Sequence, residues 1–87
     1  MVFKLNHSSQ SRRFLRNLDK PIFKRIIVRL EKLEKEPIPS DSKFIGRDNG
    51  ERVFRYRIGN YQVLYKIKEK NNILLVSKID KRQRVYN

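Results

Sequence analysis

The chain has 87 residues, with 22 Lys or Arg against 9 Asp or Glu, so its formal net charge is +13, and it contains no cysteine. This length allows one domain, residues 1–87, with one modest core and no enclosed cavity. The absence of cysteine excludes disulfides and metal sites built on cysteine, and a single histidine, His7, excludes a metal site built on histidines and a catalytic triad. The charge predicts a polyanionic partner such as nucleic acid, and because no apolar run reaches the roughly 18 residues of a membrane span, we expect a cytoplasmic protein.

The first half of the chain is predicted to form one strand and two helices. Residues 2–7 alternate apolar and polar side chains, which is typical of a short strand. The serine pair that follows can cap a first helix, and Pro21 suits the first turn of a second one. This second helix carries an apolar stripe from residue 22 to residue 33 and ends before the proline-containing loop of residues 37–41.

The second half changes from a helical period to a period of two. Residues 52–58 alternate strictly, Gly59 and Asn60 supply a tight turn, and residues 61–68 and 73–79 complete a three-stranded meander. With the first strand, the order β-α-α-β-β-β predicts an α+β fold. In this fold the helical hairpin packs on one face of a small, mostly antiparallel sheet.

The strand over residues 52–58 predicts what each face of the sheet carries. Side chains of equal parity share a face, so Phe54 and Tyr56 point towards the helices while Arg55 and Arg57 project together from the uncovered face. The two arginines are about 6 to 7 Å apart along the strand, and the planar guanidinium suits bidentate phosphate contacts. Exposed sheet faces also carry arginine for solubility, so the pair alone leaves both interpretations open.

The C-terminal segment combines basic side chains with a final aromatic one. Residues 78–86 place four basic residues and Tyr86 against the single carboxylate of Asp80; the basic residues are Lys78, Lys81, Arg82 and Arg84. An aromatic side chain beside paired arginines is what base stacking and phosphate neutralisation require. By contrast, His7 ends the first strand beside two serines, so we expect it to serve in a turn or cap. Tyr61 and Tyr65 are expected to pack within the sheet.

The order of elements and two motifs resemble the RelE/ParE superfamily of toxins from toxin-antitoxin systems, and specifically its RelE-like, archaeal-type mRNA endonucleases. Residues 54–65 resemble the pattern Tyr, basic, any, basic, apolar, Gly-x-Tyr-Arg-apolar-apolar-Tyr, and residues 81–86 resemble the ending Arg-x-Arg-x-Tyr. The resemblance covers nearly the whole chain. It implies the RelE-like microbial RNase fold.

The resemblance also implies a role for each matching residue. Arg82 matches the principal catalytic arginine, Arg55 and Arg57 match paired basic residues on the sheet, and Tyr86 matches a tyrosine that stacks on an mRNA base. Gln62 stands where the family usually has arginine; it can donate a hydrogen bond to a phosphate without neutralising it, so we expect weaker activity or replacement by another arginine. The further RNA-binding candidates are Lys81, Arg84, Gln62, Arg47 and Arg52.

The activity that the resemblance implies is cleavage of mRNA in the ribosomal decoding site by attack of the ribose 2′-hydroxyl, without metal or cofactor. A guanidinium stays protonated near neutrality, and neither motif contains His or Glu. We therefore expect catalysis by positioning and charge stabilisation, with the ribosome supplying part of the geometry. A monomeric toxin would be neutralised by a RelB-like antitoxin within a hetero-oligomer, at an apolar strip on the helices or at an open sheet edge such as the first strand.

Two alternatives remain at this point. One is a ParE-like protein that poisons DNA gyrase without cutting RNA, against which the retention of Arg55, Arg57, Arg82 and Tyr86 argues. The other is a non-enzymatic RNA- or ribosome-binding module whose arginines only hold phosphates. Gln62 keeps this second alternative open.

Overall fold

The computed structural model describes residues 2–81. In chain order the elements are β1 (Lys4–His7), α1 (Ser9–Arg16), α2 (Lys20–Lys32), β2 (Ser42–Asp48), β3 (Glu51–Ile58), β4 (Tyr61–Lys68), a 3₁₀ turn (Glu69–Asn71) and β5 (Ile73–Lys81). The strands form one sheet in the order β1-β5-β4-β3-β2, in which β1 and β5 are parallel and the other neighbours are antiparallel. The predicted α+β fold class is confirmed.

The helices begin where the sequence predicts. Ser8 is the N-cap of α1, and its hydroxyl accepts a hydrogen bond from the backbone N–H of Ser11 at 3.1 Å. Pro21 lies in the first turn of α2, where the missing N–H costs no helical hydrogen bond. Neither of these helices is long and apolar enough to cross a membrane, and residues 2–81 contain no other α-helix.

The sheet has one more strand than the sequence pattern predicts. The segment Ser42–Asp48 pairs with β3 as an edge strand, and a bulge between Phe44 and Gly46 interrupts its alternation. Phe44 and Ile45 are both about half exposed, so no regular apolar face marks the strand. The turn into β3 does carry a signal, because Asn49 and Gly50 both adopt positive φ, 53° and 81°, as a two-residue hairpin turn of type I′ requires.

The core lies between α2 and the covered face of the sheet. Ile26, Leu30 and Leu33 of the α2 segment are buried against alternate residues of the three central strands. These are Phe54, Tyr56, Ile58, Tyr61, Val63, Tyr65, Ile67, Leu74, Val76 and Ile79. The predicted orientation of β3 is therefore confirmed, and the tyrosines at 56, 61 and 65 are packing residues.

Tyr65 makes the core sensitive to high pH. Its hydroxyl donates a 2.6 Å hydrogen bond to the carbonyl of Pro37, and burial raises its pKa from 10.0 to about 12. The folded state therefore holds the neutral phenol more tightly than the unfolded chain does. Its contribution to the free energy of unfolding is fully present below pH 10 and is lost as pH rises towards 12, by about 1.4 kcal/mol per pH unit.

We expect urea unfolding between pH 8 and pH 11 to show this loss as a difference between wild type and Tyr65→Phe. The variant should be less stable at pH 8, because the Pro37 carbonyl loses its donor, and the gap between the two proteins should close as pH rises past 10. A gap that stayed constant over this range would show that Tyr65 does not cause the pH dependence.

Candidate nucleic-acid interface

No element within residues 2–81 covers the face of the sheet opposite the helices, and we call it the open face. Its side chains are those that alternate with the buried core residues along β3, β4 and β5, together with their register partners on β2. They are Lys43, Gly46, Asp48, Glu51, Val53, Arg55, Arg57, Gln62, Leu64, Lys66, Lys68, Ile73, Leu75, Lys78 and Asp80.

Two cross-strand rows at one end of the open face bring three of the predicted site residues together. One row runs Lys43, Arg55, Leu64, Lys78 from β2 to β5, and the next runs Arg57, Gln62, Asp80 from β3 to β5. Direct neighbours within such a row have Cβ atoms about 4.5 to 5.5 Å apart. We call these seven residues the cationic end. Arg55 and Arg57 lie on this face as the alternation of their strand predicts, and Gln62 is the register partner of Arg57.

Charge on the open face divides into two regions. At the far end, Lys66 contacts Asp48, and Lys68 contacts Glu51 at 3.1 Å, so both lysines are compensated. At the cationic end, Lys43, Arg55 and Arg57 form no ion pair with any residue in the range 2–81. An anion that approaches the sheet is therefore attracted mainly to the cationic end.

Three of the predicted RNA-binding residues lie elsewhere in the structure. Lys81 is the register partner of Tyr61, which faces the helices, so Lys81 points away from the open face. Arg47 and Arg52 are partners of each other on that same side of the sheet. Arg52 lies five residues from Arg57, about 16 Å along the strand.

The contacts of Arg47 and Arg52 are structural. Arg52 forms an ion pair with Glu69 and lies 5.6 Å from the centre of the Phe54 ring, while Arg47 donates a 2.9 Å hydrogen bond to the carbonyl of Gly50. Both line a cleft of about 370 Å³ between two turns. The structure does not bring either arginine to Gln62, so neither is placed to replace the arginine that the family usually has there.

Helix α1 holds the end of β5, where the cationic end meets the C-terminal motif. β1 pairs with β5 only as far as Val76, and beyond that residue side chains of the α1 segment form hydrogen bonds with the backbone of β5. The Gln10 amide donates to the carbonyl of Ile79 and accepts from its N–H, both at 3.1 Å, and Ser8 donates to the carbonyl of Ser77 at 2.8 Å. This fixes the strand that leads into Arg82, which with Arg84 and Tyr86 lies outside the described residues.

His7 has a structural contact, but not the turn or cap role that the sequence predicts, because it is the last residue of β1 and Ser8 caps α1. Its Nδ1 lies 2.8 Å from the Ser11 hydroxyl, and it is the register partner of the buried Val76 on the helix side of the sheet. Burial, and then the positive charge of Arg12, lower the pKa of His7. Within residues 2–81, His, Asp and Glu side chains form no group of three that could hold a metal ion.

A groove of about 580 Å³ lies between the two helices on the other side of the molecule. Four apolar side chains line it together with His7, Arg12, Arg16 and Lys20. Neither arginine nor the lysine has an ion-pair partner in the described part of the chain. The apolar side chains are Leu15, Leu18, Phe23 and Ile27. The groove therefore combines apolar and cationic side chains.

Sequence reasoning does not place Lys43 and Asp80 in the site. Lys43 is missed because β2 is not predicted, although the Asn49-Gly50 pair signals a hairpin and thus a preceding strand. Asp80 is the single acidic residue of a basic segment, so the composition of that segment does not indicate a role for it. Its alternation with Ile79, which is fully buried, is the signal that could place it on the open face.

Comparison with known proteins gives one family and several related structures. The model of the family described as ParE toxin of type II toxin-antitoxin system, parDE, matches residues 5–86. A chain of the archaeal RelE-RelB complex from Pyrococcus horikoshii OT3 is 25% identical, with a TM-score of 0.85 over 98% of this chain and 100% of that one. No curated protein sequence matches.

Two further structures share the fold at lower identity. A chain of the toxin-antitoxin complex RelBE2 from Mycobacterium tuberculosis is 23% identical, with a TM-score of 0.78 over 94% of this chain and 93% of that one. The isolated RelE toxin of E. coli is 15% identical, with a TM-score of 0.80 over 98% of this chain and 88% of that one.

Proposed function

Because the chain belongs to the family of ParE toxins of type II toxin-antitoxin systems and has a RelE-like fold, we propose that it is a ribosome-dependent endonuclease that cleaves mRNA in the decoding site. The observation that supports this proposal best is the cationic end of the open face. There Lys43, Arg55 and Arg57 have no ion-pair partner among residues 2–81, and they lie on a surface that neither α1 nor α2 covers. Such a surface suits one extended RNA strand.

In the proposed reaction the ribose 2′-hydroxyl attacks the adjacent phosphorus and the bond to the 5′-oxygen breaks. Arg55 and Arg57 bind the scissile phosphate, and their charge stabilises the dianionic transition state more than the monoanionic ground state. Arg82 adds to this stabilisation, Tyr86 stacks on a base, and Arg84 contacts a flanking phosphate. The ribosome holds the mRNA in the geometry for attack, so cleavage of free mRNA is slow.

Mapping of mRNA 5′ ends in a translating extract tests this function. Wild-type protein should produce new 5′ ends within codons, and Arg82→Ala should not. If wild type leaves mRNA intact while it binds ribosomes, the non-enzymatic binding module is the better account. If mRNA stays intact and DNA supercoiling by gyrase fails, the gyrase-poison alternative is correct. This alternative is tested because the matching family is described as ParE toxin.

Lys43 and Lys68 provide a matched test of the electrostatic contribution. Both are lysines of the open face, but Lys68 is compensated by Glu51 and Lys43 has no ion-pair partner in residues 2–81. We expect Lys43→Gln to reduce the slope of log Kd for ribosomes against log salt concentration by about 0.7, which is one phosphate contact on a single strand, and Lys68→Gln to change it little. Equal slopes for wild type and Lys43→Gln would show that Lys43 makes no phosphate contact in the complex.

We also propose that a RelB-like antitoxin neutralises the protein, with an acidic and apolar segment in the groove between α1 and α2. The cationic and apolar side chains of the groove complement such a segment. Phe23→Glu should weaken antitoxin binding at least tenfold, because it places a carboxylate among the apolar side chains of the groove. Val28→Glu, on the exposed side of the same helix, should leave the affinity unchanged; a loss of equal size in both variants would contradict this location.

A further inference from the structure

The proposed reaction needs a group that accepts the proton of the 2′-hydroxyl, and arginine cannot do this near neutral pH. His7 is not positioned to accept this proton, because it lies on the helix side of the sheet and is hydrogen-bonded to Ser11. Asp48 and Glu51 lie on the open face, but each contacts a lysine at the end far from Arg57. Among the described residues, these observations leave one open-face carboxylate beside the uncompensated arginines, that of Asp80.

Asp80 has the position and the free oxygen that a proton acceptor requires. It follows the buried Ile79, so it lies on the open face, and it is the register partner of Gln62, which is in turn the partner of Arg57. Lys78 contacts Oδ2 of Asp80 at 3.5 Å, while Oδ1 accepts no hydrogen bond from residues 2–81. Nearly half of the Asp80 side chain is exposed, so substrate can reach it.

The residue type at position 62 determines whether the Asp80 carboxylate is engaged in a cross-strand ion pair. An arginine at position 62 would lie directly opposite Asp80, at the distance of a cross-strand ion pair. Such a pair would occupy the carboxylate and compensate its charge. The neutral amide of Gln62 leaves Asp80 available, while Arg57 on its other side still supplies positive charge for the phosphate.

We propose that Asp80 is the general base of the cleavage reaction; this proposal rests on the proposed endonuclease function. Asp80 Oδ1 accepts the proton of the 2′-hydroxyl as the 2′-oxygen forms its bond to phosphorus. The bond from phosphorus to the 5′-oxygen breaks, and the leaving oxygen takes a proton from water. The products are a 2′,3′-cyclic phosphate and a 5′-hydroxyl, and the carboxyl of Asp80 returns its proton to solvent.

Single-turnover cleavage of ribosome-bound mRNA by wild type, Asp80→Asn and Asp80→Glu tests the proposal. Asp80→Asn should lower the cleavage rate constant about 10²- to 10⁴-fold, the usual contribution of a general base. Its ribosome affinity should be equal or tighter, because a negative charge leaves an RNA-binding surface. Asp80→Glu should keep more activity than Asp80→Asn, since it retains the carboxylate.

The matched control is Asp48→Asn, which also removes a carboxylate from the open face but far from Arg57. It should leave the rate constant within a few-fold of wild type. A second arm is Gln62→Arg, which restores the arginine that the family usually has. The sequence alone predicts faster cleavage for this variant, but if Asp80 is the base, its ion pair with the new arginine should outweigh the added charge, so ribosome binding should tighten while cleavage slows. If Asp80→Asn or Gln62→Arg cleaves as fast as wild type or faster, Asp80 is not the base although the endonuclease function stands. If wild type itself cleaves nothing, the proposed function fails and the role of Asp80 falls with it.

Discussion

Replacing Arg55 and Arg57 together by glutamine is expected to lower the rate of ribosome-dependent mRNA cleavage about 10³- to 10⁵-fold. Loss of one charge-stabilising donor typically costs about 10²- to 10³-fold in rate, and two donors on one phosphate are not strictly additive. Neither side chain contributes to the core, since both lie on the open face, so the fold should persist. The loss should appear in the rate constant at saturating protein as well as in the affinity.

The control for this double variant is Arg13→Gln, which removes one exposed arginine from α1 on the other side of the sheet. It should change the cleavage rate at saturation by less than about twofold, because it alters only the general attraction to ribosomal RNA. If the double variant bound ribosomes more weakly but cut at the wild-type rate when saturated, its arginines would serve binding alone.

Leu30→Ala is expected to have the largest effect on stability, a loss of about 2 to 5 kcal/mol in the free energy of unfolding. Leu30 is fully buried between α2 and the sheet, and its removal leaves a cavity that the packed tyrosines and branched residues cannot close. A domain of this size has only about 4 to 13 kcal/mol in total. The variant is therefore expected to unfold at a much lower urea concentration than wild type.

Val28→Ala is the matched control, two residues away on the exposed side of the same helix. Its side chain is 53% exposed, so the change should lie within about 0.5 kcal/mol. A loss of similar size in both variants would contradict this account, because it would mean that burial against the sheet does not distinguish Leu30 from the exposed Val28.

Periodicity makes the central strands predictable. β4 is predicted and observed over the same residues, and the strict alternation in β3 is enough to put Arg55 and Arg57 on the uncovered face. This works because one face of each central strand is buried against helices, so the side-chain period follows the burial. The core positions of the tyrosines follow from the same alternation.

Edges and register are harder to predict because they depend on partners that are distant in sequence. β2 has a bulge and exposed apolar residues, so its pairing with β3, and the place of Lys43 beside Arg55, do not follow from its own pattern. The opposition of Gln62 and Asp80 depends on a second bulge between β4 and β5, at Leu64 and Tyr65. Composition groups Lys81 with the other basic residues of the C-terminal segment, but its parity places it on the other side of the sheet.

The net charge of +13 thus divides into regions with different expected roles. The cations that line the interhelical groove are proposed to contact an antitoxin, and those at the cationic end are proposed to contact mRNA. At the far end of the open face the charge is compensated by carboxylates. The small size of the domain is consistent with an open site that depends on the ribosome to hold the mRNA.

The most direct test of the endonuclease function compares one mRNA in two states, free in solution and bound to purified ribosomes whose decoding site is empty of tRNA. Both are incubated with wild-type protein, and their 5′ ends are mapped. The account predicts cuts confined to the codon in the decoding site of the ribosome-bound mRNA, with the free mRNA intact over the same period. Intact mRNA in both states, or equal cutting of both, would contradict it.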